Sequence, residues 1–397
     1  MDTDRPTLRL KPRADARAVR HGAPWVYADD LVLDRRTKAL APGTVATLED
    51  VGRAALATVA VNPASKIAAR VLDRDPAAKI DGDWLRARLA RALDLRARLY
   101  DAPFYRLVHA EGDGLPGVVI DRFGETAVIQ PNAAWAERLL EPLAQALAEV
   151  AGVAHVLKNA GGRARALEGL EDAGGVLIGQ APDGPVPVPM NGATYLADLT
   201  GGQKTGLYFD QRPNHAFAAR LAGGARVLDV FSHVGGFALA ALAGGAEHAL
   251  AVDGSAPALA MAEKGAALSG VADRLATRRG DAFDVMEALA AEGARFDLVV
   301  CDPPAFAPSK PALEKGLRAY ERVARLAAAL VAEGGFLMLC SCSHAADLAK
   351  FRQASIRGIG RAGRAGALIR TGGAGPDHPQ HPQLAESGYL KTLAFRL

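Results

Sequence analysis

Two short stretches hold residue types able to do chemistry. Leu339-Cys340-Ser341-Cys342-Ser343 ends one apolar run, and Asp302-Pro303-Pro304-Ala305-Phe306 ends another. A thiolate can add to C6 of a cytosine ring, which breaks aromaticity and makes the unreactive C5 enamine-like. A carboxyl group hydrogen-bonded to N3 stabilises the charge that develops there. In that chemistry Cys342 is the nucleophile and Asp302 holds the base. Cys340 shares the strand parity of Cys342 but lies deeper, and is the second candidate; Cys301, inside the apolar LVVC, reads as core. The opposing reading of Cys342 is a buried structural cysteine. A free thiol titrates near about 8.5, so a nucleophile needs a positive or helix-terminal environment. The prolines fix a turn that projects Asp302, with Pro304 and Phe306 as candidate substrate contacts.

A series of acids stands at successive strand ends. Asp229 precedes Phe231-Ser232-His233-Val234-Gly235-Gly236, Asp253 precedes Gly254-Ser255, Asp281 precedes Ala282, and Asp302 follows. Gly235 and Gly236 allow a ligand close to the backbone and a helix N-terminus, but VLDVFSHVGGF is not G-x-G-x-x-G, so a pyrophosphate cradle is poorly supported. An acid just before the glycines suits a cationic ligand. Asp253 is placed to accept from both ribose hydroxyls and Asp281 to bind an adenine amino group. Each acid could instead cap the following helix. Taken in order, the set resembles the class I S-adenosylmethionine-dependent methyltransferases. That resemblance implies S-adenosyl-L-methionine as cofactor, with Phe231, Ser232, Gly236, Ser255, Ala282, Asp302 and Pro303 beside it.

The elements that must position these residues follow from periodicity. From about residue 226, RVLDVFS, HALAVDGS, LATRRGD, FDLVVCDPP and FLMLCSCS read as strands. GGFALAALAGG, APALAMAEKGAALSG, VMEALAAEG, LEKGLRAYERVARLAAALVAEGG and AADLAKFRQASIRG read as helices, and two further strands end the chain. Apolar strands alternating with helices predict a parallel α/β sheet, with ligands beyond the carboxyl ends of its strands. Residues 1–75 read as short strands (LRLKP, GTVATLED, ALATVAVN, AARVLD) of a small β-barrel, interrupted by a turn-rich HGAPWVYADD. A helical stripe runs from Asp83 to Tyr100. Residues 105–190 then give a hairpin, a helix from about Trp135 to Val150, and strands near HVLKN and GGVLIGQ. Pro182, Pro185, Pro187 and Pro189 predict an extended connector. The expected domains are 1–75, a β-barrel; 76–190, α+β; and 191–397, α/β.

Half of the 397 residues are hydrophobic, so each domain can bury a core. The net charge is +3, but residues 1–110 hold 20 Lys/Arg against 14 Asp/Glu, a net of +6, and the remainder 27 against 30, a net of −3. A basic N-terminal part can contact phosphates; a solvated arginine-rich surface is the plainer alternative. MDTDRPTLRLKPR has no apolar signal-peptide region, and no apolar run reaches the length of a membrane span. The three cysteines form no C-x-x-C pair and no metal site is expected. Their odd number predicts reduced thiols in the cytoplasm.

Longer motifs carry a more specific resemblance. RAVRHGAPWVYADDL, LVHAEGDGLPGVVIDRFG, GGQKTGLYFDQRPNH and DHPQHPQLAESGYLK occur in that order. With them the chain is similar, over nearly its whole length, to the bacterial large-subunit ribosomal RNA cytosine-5 methyltransferases of the RlmI type. The resemblance implies an N-terminal PUA-like RNA-binding barrel and a Rossmann-like methyltransferase domain. It implies ribosomal RNA, within the large subunit or its assembly intermediate, as partner, with a homodimer as the candidate assembly. Lys204, Thr205, Gly206, Phe209, Gln211 and Arg212 would shape the cofactor pocket, with Arg212 or Lys204 pairing with the methionine carboxylate. Two features depart from the pattern. Ala305 stands where family members commonly have Lys, and no second cysteine follows the fourth-strand proline. Cys342 must then work with a separate base, for which His344 and His378 are the candidates, each also readable as surface or structural. Two rivals stay open. DPPAFAPSK also fits a guanine N-methyltransferase, which would carry Asn where Cys342 stands, and a non-catalytic RNA-binding assembly factor could keep the fold.

Overall fold

The computed structural model describes residues 5–201 and 206–397. The chain divides into two compact units. One comprises Met1–Gly184, Leu199–Thr205 and Pro376–Ser387; the other comprises Pro185–Asp198, Gly206–Gly375 and Gly388–Leu397.

The first unit holds two sheets. Strands β1 (Thr7–Arg9), β2 (Trp25–Tyr27), β3 (Thr44–Glu49), β4 (Ala55–Val61) and β5 (Ile67–Asp73) lie in the order β1-β3-β4-β5-β2. A bridge between Leu10 and Leu31 links the open edges, curling the sheet into a partial barrel. The segment expected as a turn-rich interruption therefore contains a strand: Trp25–Tyr27 pairs with β5, too short to show a period of two. The second sheet has the order β10-β9-β8-β7-β6, built from β6 (Phe104–His109), β7 (Val118–Phe123), β8 (Thr126–Pro131), β9 (His155–Lys158) and β10 (Gly175–Ile178). Helix α1 (Gly82–Leu99) starts where Asp81 accepts from Trp84 N, and it buries Leu85, Leu89, Ala92 and Arg96 along one stripe.

The second unit opens with a hairpin, β11 (Val186–Met190) against β12 (Ala193–Ala197). Of the prolines expected to form an extended connector, Pro187 and Pro189 thus lie in a paired strand, while Pro182 and Pro185 precede it. Asn191 and Gly192, at φ 54° and 78°, form the tight turn, and a two-stranded edge tolerates proline. The main sheet follows: β13 (Arg226–Val230), β14 (His248–Asp253), β15 (Leu275–Arg279), β16 (Phe296–Cys301), β17 (Val331–Ser341), β18 (Ala367–Gly372) and β19 (Lys391–Arg396), ordered β15-β14-β13-β16-β17-β19-β18. The first five are mutually parallel, and β19 is antiparallel to both β17 and β18. Helices α2 (Arg212–Leu221), α3 (Gly236–Ala243), α4 (Ala256–Leu268), α5 (Ala282–Ala291), α6 (Leu313–Leu330) and α7 (Leu348–Arg361) complete the unit. Val-Ala-Glu-Gly-Gly, expected to finish α6, instead starts β17, where Gly334 adopts φ 73° and an irregularity shifts the register. Val299, Val300, Leu337 and Leu393 are fully buried, as strands covered on both faces require. Strand order reverses between β13 and β16, which opens a crevice beyond their carboxyl ends. No helix among the described residues is long and apolar enough to cross a membrane.

Candidate active site

The loop after β13 is held in a costly conformation. Phe231 and His233 adopt φ of 63° and 51°, and Gly235 caps α3 at φ 79°. Each such non-glycine residue costs about 1–3 kcal/mol, so the surroundings must dictate the shape. Ser232 N donates to Val252 O at 3.0 Å, Gly235 N to Ser232 O at 2.8 Å, and His233 N to Asp253 Oδ2 at 2.8 Å. The glycines serve the protein's own packing first. A Cβ on Gly236 would stand 2.8 Å from His215 Nε2, and one on Gly235 3.1 Å from the Ala262 Cβ. A side chain at either position would collide with these neighbours, a constraint separate from the expected close approach of a ligand to the backbone.

Asp229 lies at the floor of this loop, 1 % exposed. Its Oδ2 accepts from Ala238 N at 2.9 Å, while Oδ1 has no hydrogen-bond partner among the described residues. Burial lifts its carboxyl to about 7, against the backbone N–H groups of Ala238 and Phe237, with Asp253 adding to the rise. Asp253 is half-buried; besides His233 it accepts from Ser255 N at 2.8 Å, leaving lone pairs on both oxygens. Ser255 caps α4 through Ala258 N, and the exposed Asp281 caps α5 through Phe283 N and Asp284 N. The capping alternative for the acids is thus realised at Asp281, without removing it from solvent, whereas α4 is capped by Ser255 rather than by Asp253. Ala282 is buried behind it.

Orphaned polar atoms mark the same end of the sheet. Beside Asp229 Oδ1, the buried Ser232 Oγ, His215 Nδ1, Asn214 Oδ1 and Asp210 Oδ1 lack partners among the described residues. A bare, buried carboxylate oxygen and hydroxyl fit a cationic, polyhydroxylated ligand such as S-adenosylmethionine better than an anionic one.

The remaining predicted residues fall around it. Lys204 and Thr205 lie outside the described residues. Gly206, at φ 97°, passes so close to Asp198 that a Cβ would meet its carbonyl oxygen at 2.6 Å. Phe209 is fully buried under the Arg212 guanidinium, 5.4 Å from the ring centre. Gln211 accepts from Asn214 Nδ2 at 2.7 Å and hydrogen-bonds Cys340. Phe231, Phe283 and Phe306 form a triangle with ring centres 6.3–6.4 Å apart. Pro303 is buried, Pro304 exposed and Asp302 half-buried.

The cysteines separate by environment. Cys301 and Cys340 are buried, and burial pushes both thiols up. Cys342, just past β17, is partly exposed. Its neighbours Ser341 and Ser343 are fully buried and meet the Tyr320 hydroxyl at 2.9 and 2.7 Å, and Ser343 Oγ accepts from Ala307 N at 2.9 Å. The turn after Asp302 is therefore tied to the turn carrying Cys342. Tyr208 reports the convergence: its phenol is pushed up to about 12 by burial, then by Asp210, Asp302, Cys342 and Asp253. Its ring meets His233 edge-on at 5.2 Å. Of the two candidate bases, exposed His344 faces Tyr389 at 5.7 Å. His378 belongs to the first unit, where its Nδ1 lies 2.9 Å from Asp377.

Sequence reasoning missed Tyr208, Phe283, Tyr320 and Lys391. Tyr208 and Lys391 sit inside quoted motifs and could have been singled out; Phe283 and Tyr320 lie in ordinary helical patterns with no signal. Among the described residues no cluster of three His, Cys, Asp or Glu is arranged to hold a metal.

Comparison with known proteins places the chain in a family. Residues 130–360, more than half of the chain, match the S-adenosylmethionine-dependent methyltransferase family, and residues 8–74 match a PUA-like domain. A ribosomal RNA large subunit methyltransferase from Deinococcus radiodurans is 34 % identical over 405 residues, covering 99 % of this chain and 98 % of that protein. The ribosomal RNA large subunit methyltransferase I of Erwinia tasmaniensis is 35 % identical, covering 98 % and 100 %. Among solved structures, a candidate SAM-dependent methyltransferase from Streptococcus mutans superposes with a TM-score of 0.83 over 99 % of this chain and 100 % of that one; at 18 % identity it shows the fold alone.

Proposed function

Because the chain belongs to the ribosomal RNA large subunit methyltransferase I family of S-adenosylmethionine-dependent methyltransferases, we propose that it methylates C5 of a cytosine in large-subunit ribosomal RNA, with Cys342 as nucleophile. The observation that carries the choice of residues is the hydrogen bond from Ala307 N to Ser343 Oγ at 2.9 Å, which ties the turn after Asp302 to the turn carrying the partly exposed Cys342. Bound S-adenosylmethionine supplies a methyl group on a cationic sulfur. Asp253 and Asp281 would offer carboxylates to its ribose and adenine, Asp229 would offset its positive charge, and Phe231 and Phe283 would provide apolar walls for the heterocycle.

The chain's own part begins with Cys342. Its thiolate gives an electron pair to C6, forming a C–S bond and leaving charge at C5 and N3, where the Asp302 carboxyl group hydrogen-bonds. After methylation the C5 proton leaves to a base, the C–S bond breaks, and the thiolate is regenerated. Pro304 and Phe306 border the base. The exposed Arg13, Arg17, Arg35, Arg36 and Lys38 of the PUA-like segment supply phosphate contacts.

The test uses RNA containing 5-fluorocytosine, whose fluorine blocks elimination. Incubation with S-adenosylmethionine should give an RNA–protein band on denaturing gels that is lost in Cys342→Ala and kept in Cys340→Ala. Methyl transfer to unmodified RNA that persists in Cys342→Ala would sink the covalent mechanism and move the assignment to guanine N-methylation.

A further inference from the structure

The turn behind Cys342 is braced by a cation that the proposed chemistry has not used. β19 places Lys391 opposite Ser341 and Thr392 opposite Cys340. Lys391 is 7 % exposed, and its Nζ donates to the carbonyl oxygens of Ser343 at 2.6 Å and Ala346 at 2.8 Å. The ammonium thus grips the residue immediately after Cys342. Its two hydrogen-bond acceptors are neutral. Asp347, which also acts on it, is already paired with Lys350 at 2.5 Å. Burying a cation against neutral carbonyls is costly unless an anion shares the site.

Resting on the assignment of Cys342 as nucleophile, we propose that Lys391 is a positioning residue for the methyl-transfer reaction, fixing the 343–346 turn and stabilising the Cys342 thiolate with its ammonium. Among the described residues, the other groups within reach of Cys342 supply no positive charge. Asp302 at the end of β16 is an acid that opposes a thiolate. Tyr208 and Tyr320 are phenols, each also within electrostatic reach of Cys342. His344 and Asp347 follow on the same turn, the latter acidic. Seen from the lysine, burial lowers the ammonium's pKa while Cys342 and Asp347 push it back up.

The test is the pH dependence of Cys342 alkylation by iodoacetamide in the full-length protein, read by peptide mass spectrometry, for the native chain, Lys391→Arg and Lys391→Met. The native midpoint should lie below about 8.5. Lys391→Met should raise it by about one unit, a tenfold loss of thiolate near neutrality, and methyl transfer should recover as pH rises. Lys391→Arg should stay below about 8.5. A native midpoint at or above that value, or an unchanged one in a folded Lys391→Met, overturns the proposal. If Lys391→Met fails to fold by circular dichroism, the native and Lys391→Arg midpoints decide alone. Methyl transfer retained in Cys342→Ala would instead defeat the nucleophile assignment, leaving the alkylation midpoints as a separate result.

Discussion

Two buried polar clusters, one in each unit, obey opposite rules. In the first unit Arg96, with no exposed side chain, binds Asp113 at 2.5 and 2.8 Å and donates to the carbonyls of Arg106 and Asp377. Asp113 also accepts from His109 N, and Asp377 from Arg106 N and against His378 Nδ1. Burial and the nearby cations hold the His109 ring far down, at about 2, so it stays neutral there. At the strand ends of the second unit, Asp229 Oδ1, Ser232 Oγ and His215 Nδ1 are buried without partners among the described residues. A satisfied network specifies structure; orphaned atoms beside a strained loop mark where a ligand completes the bonding. Buried charge by itself does not distinguish the two.

The largest effect should come from breaking the satisfied cluster. Arg96→Met strands Asp113 and the Asp377 carbonyl, and urea denaturation should show a loss of about 3–5 kcal/mol. A loss below about 1 kcal/mol would mean that the network is not structural.

Asp229 tests the unsatisfied cluster. Its carboxyl is raised in the folded protein from an ordinary 3.8 to about 7. The folded state therefore binds the extra proton across that window, and stability of the ligand-free protein falls as pH rises from about 4 to about 7. A cationic ligand favours the ionised form, so calorimetry should find S-adenosylmethionine about tenfold weaker at pH 6 than at pH 8. Asp229→Asn should flatten both dependences. A pH-independent affinity in the native chain would separate Asp229 from the cofactor.

Asp281 gives the smallest effect and the finest discrimination. Asp281→Ala removes the cap of α5 and should cost about 1 kcal/mol of stability. If Asp281 also holds the adenine, cofactor affinity falls in parallel; unchanged affinity would leave it a cap only.

Much of this arrangement is legible in the chain. Apolar runs covered on both faces announce the parallel strands, and the acids at their ends follow from chain order. The antiparallel β19, by contrast, lies between β17 and β18 for reasons that no local pattern carries. Trp25–Tyr27 is too short for its period to show, and the strand Val186–Met190 is disguised by its prolines, although Asn191-Gly192 was a readable turn signal.

Residue type and spacing determined which groups could react: a cysteine two residues past Cys340, an Asp-Pro-Pro turn, and glycines beside Asp229. Only the tertiary structure decided their states. Burial separates Cys301 and Cys340 from the partly exposed Cys342, lifts Asp229, and sets Lys391, 49 positions along from Cys342, against the turn that holds it. Local sequence encodes identity and period, whereas desolvation and the proximity of charges arise from segments distant in the chain.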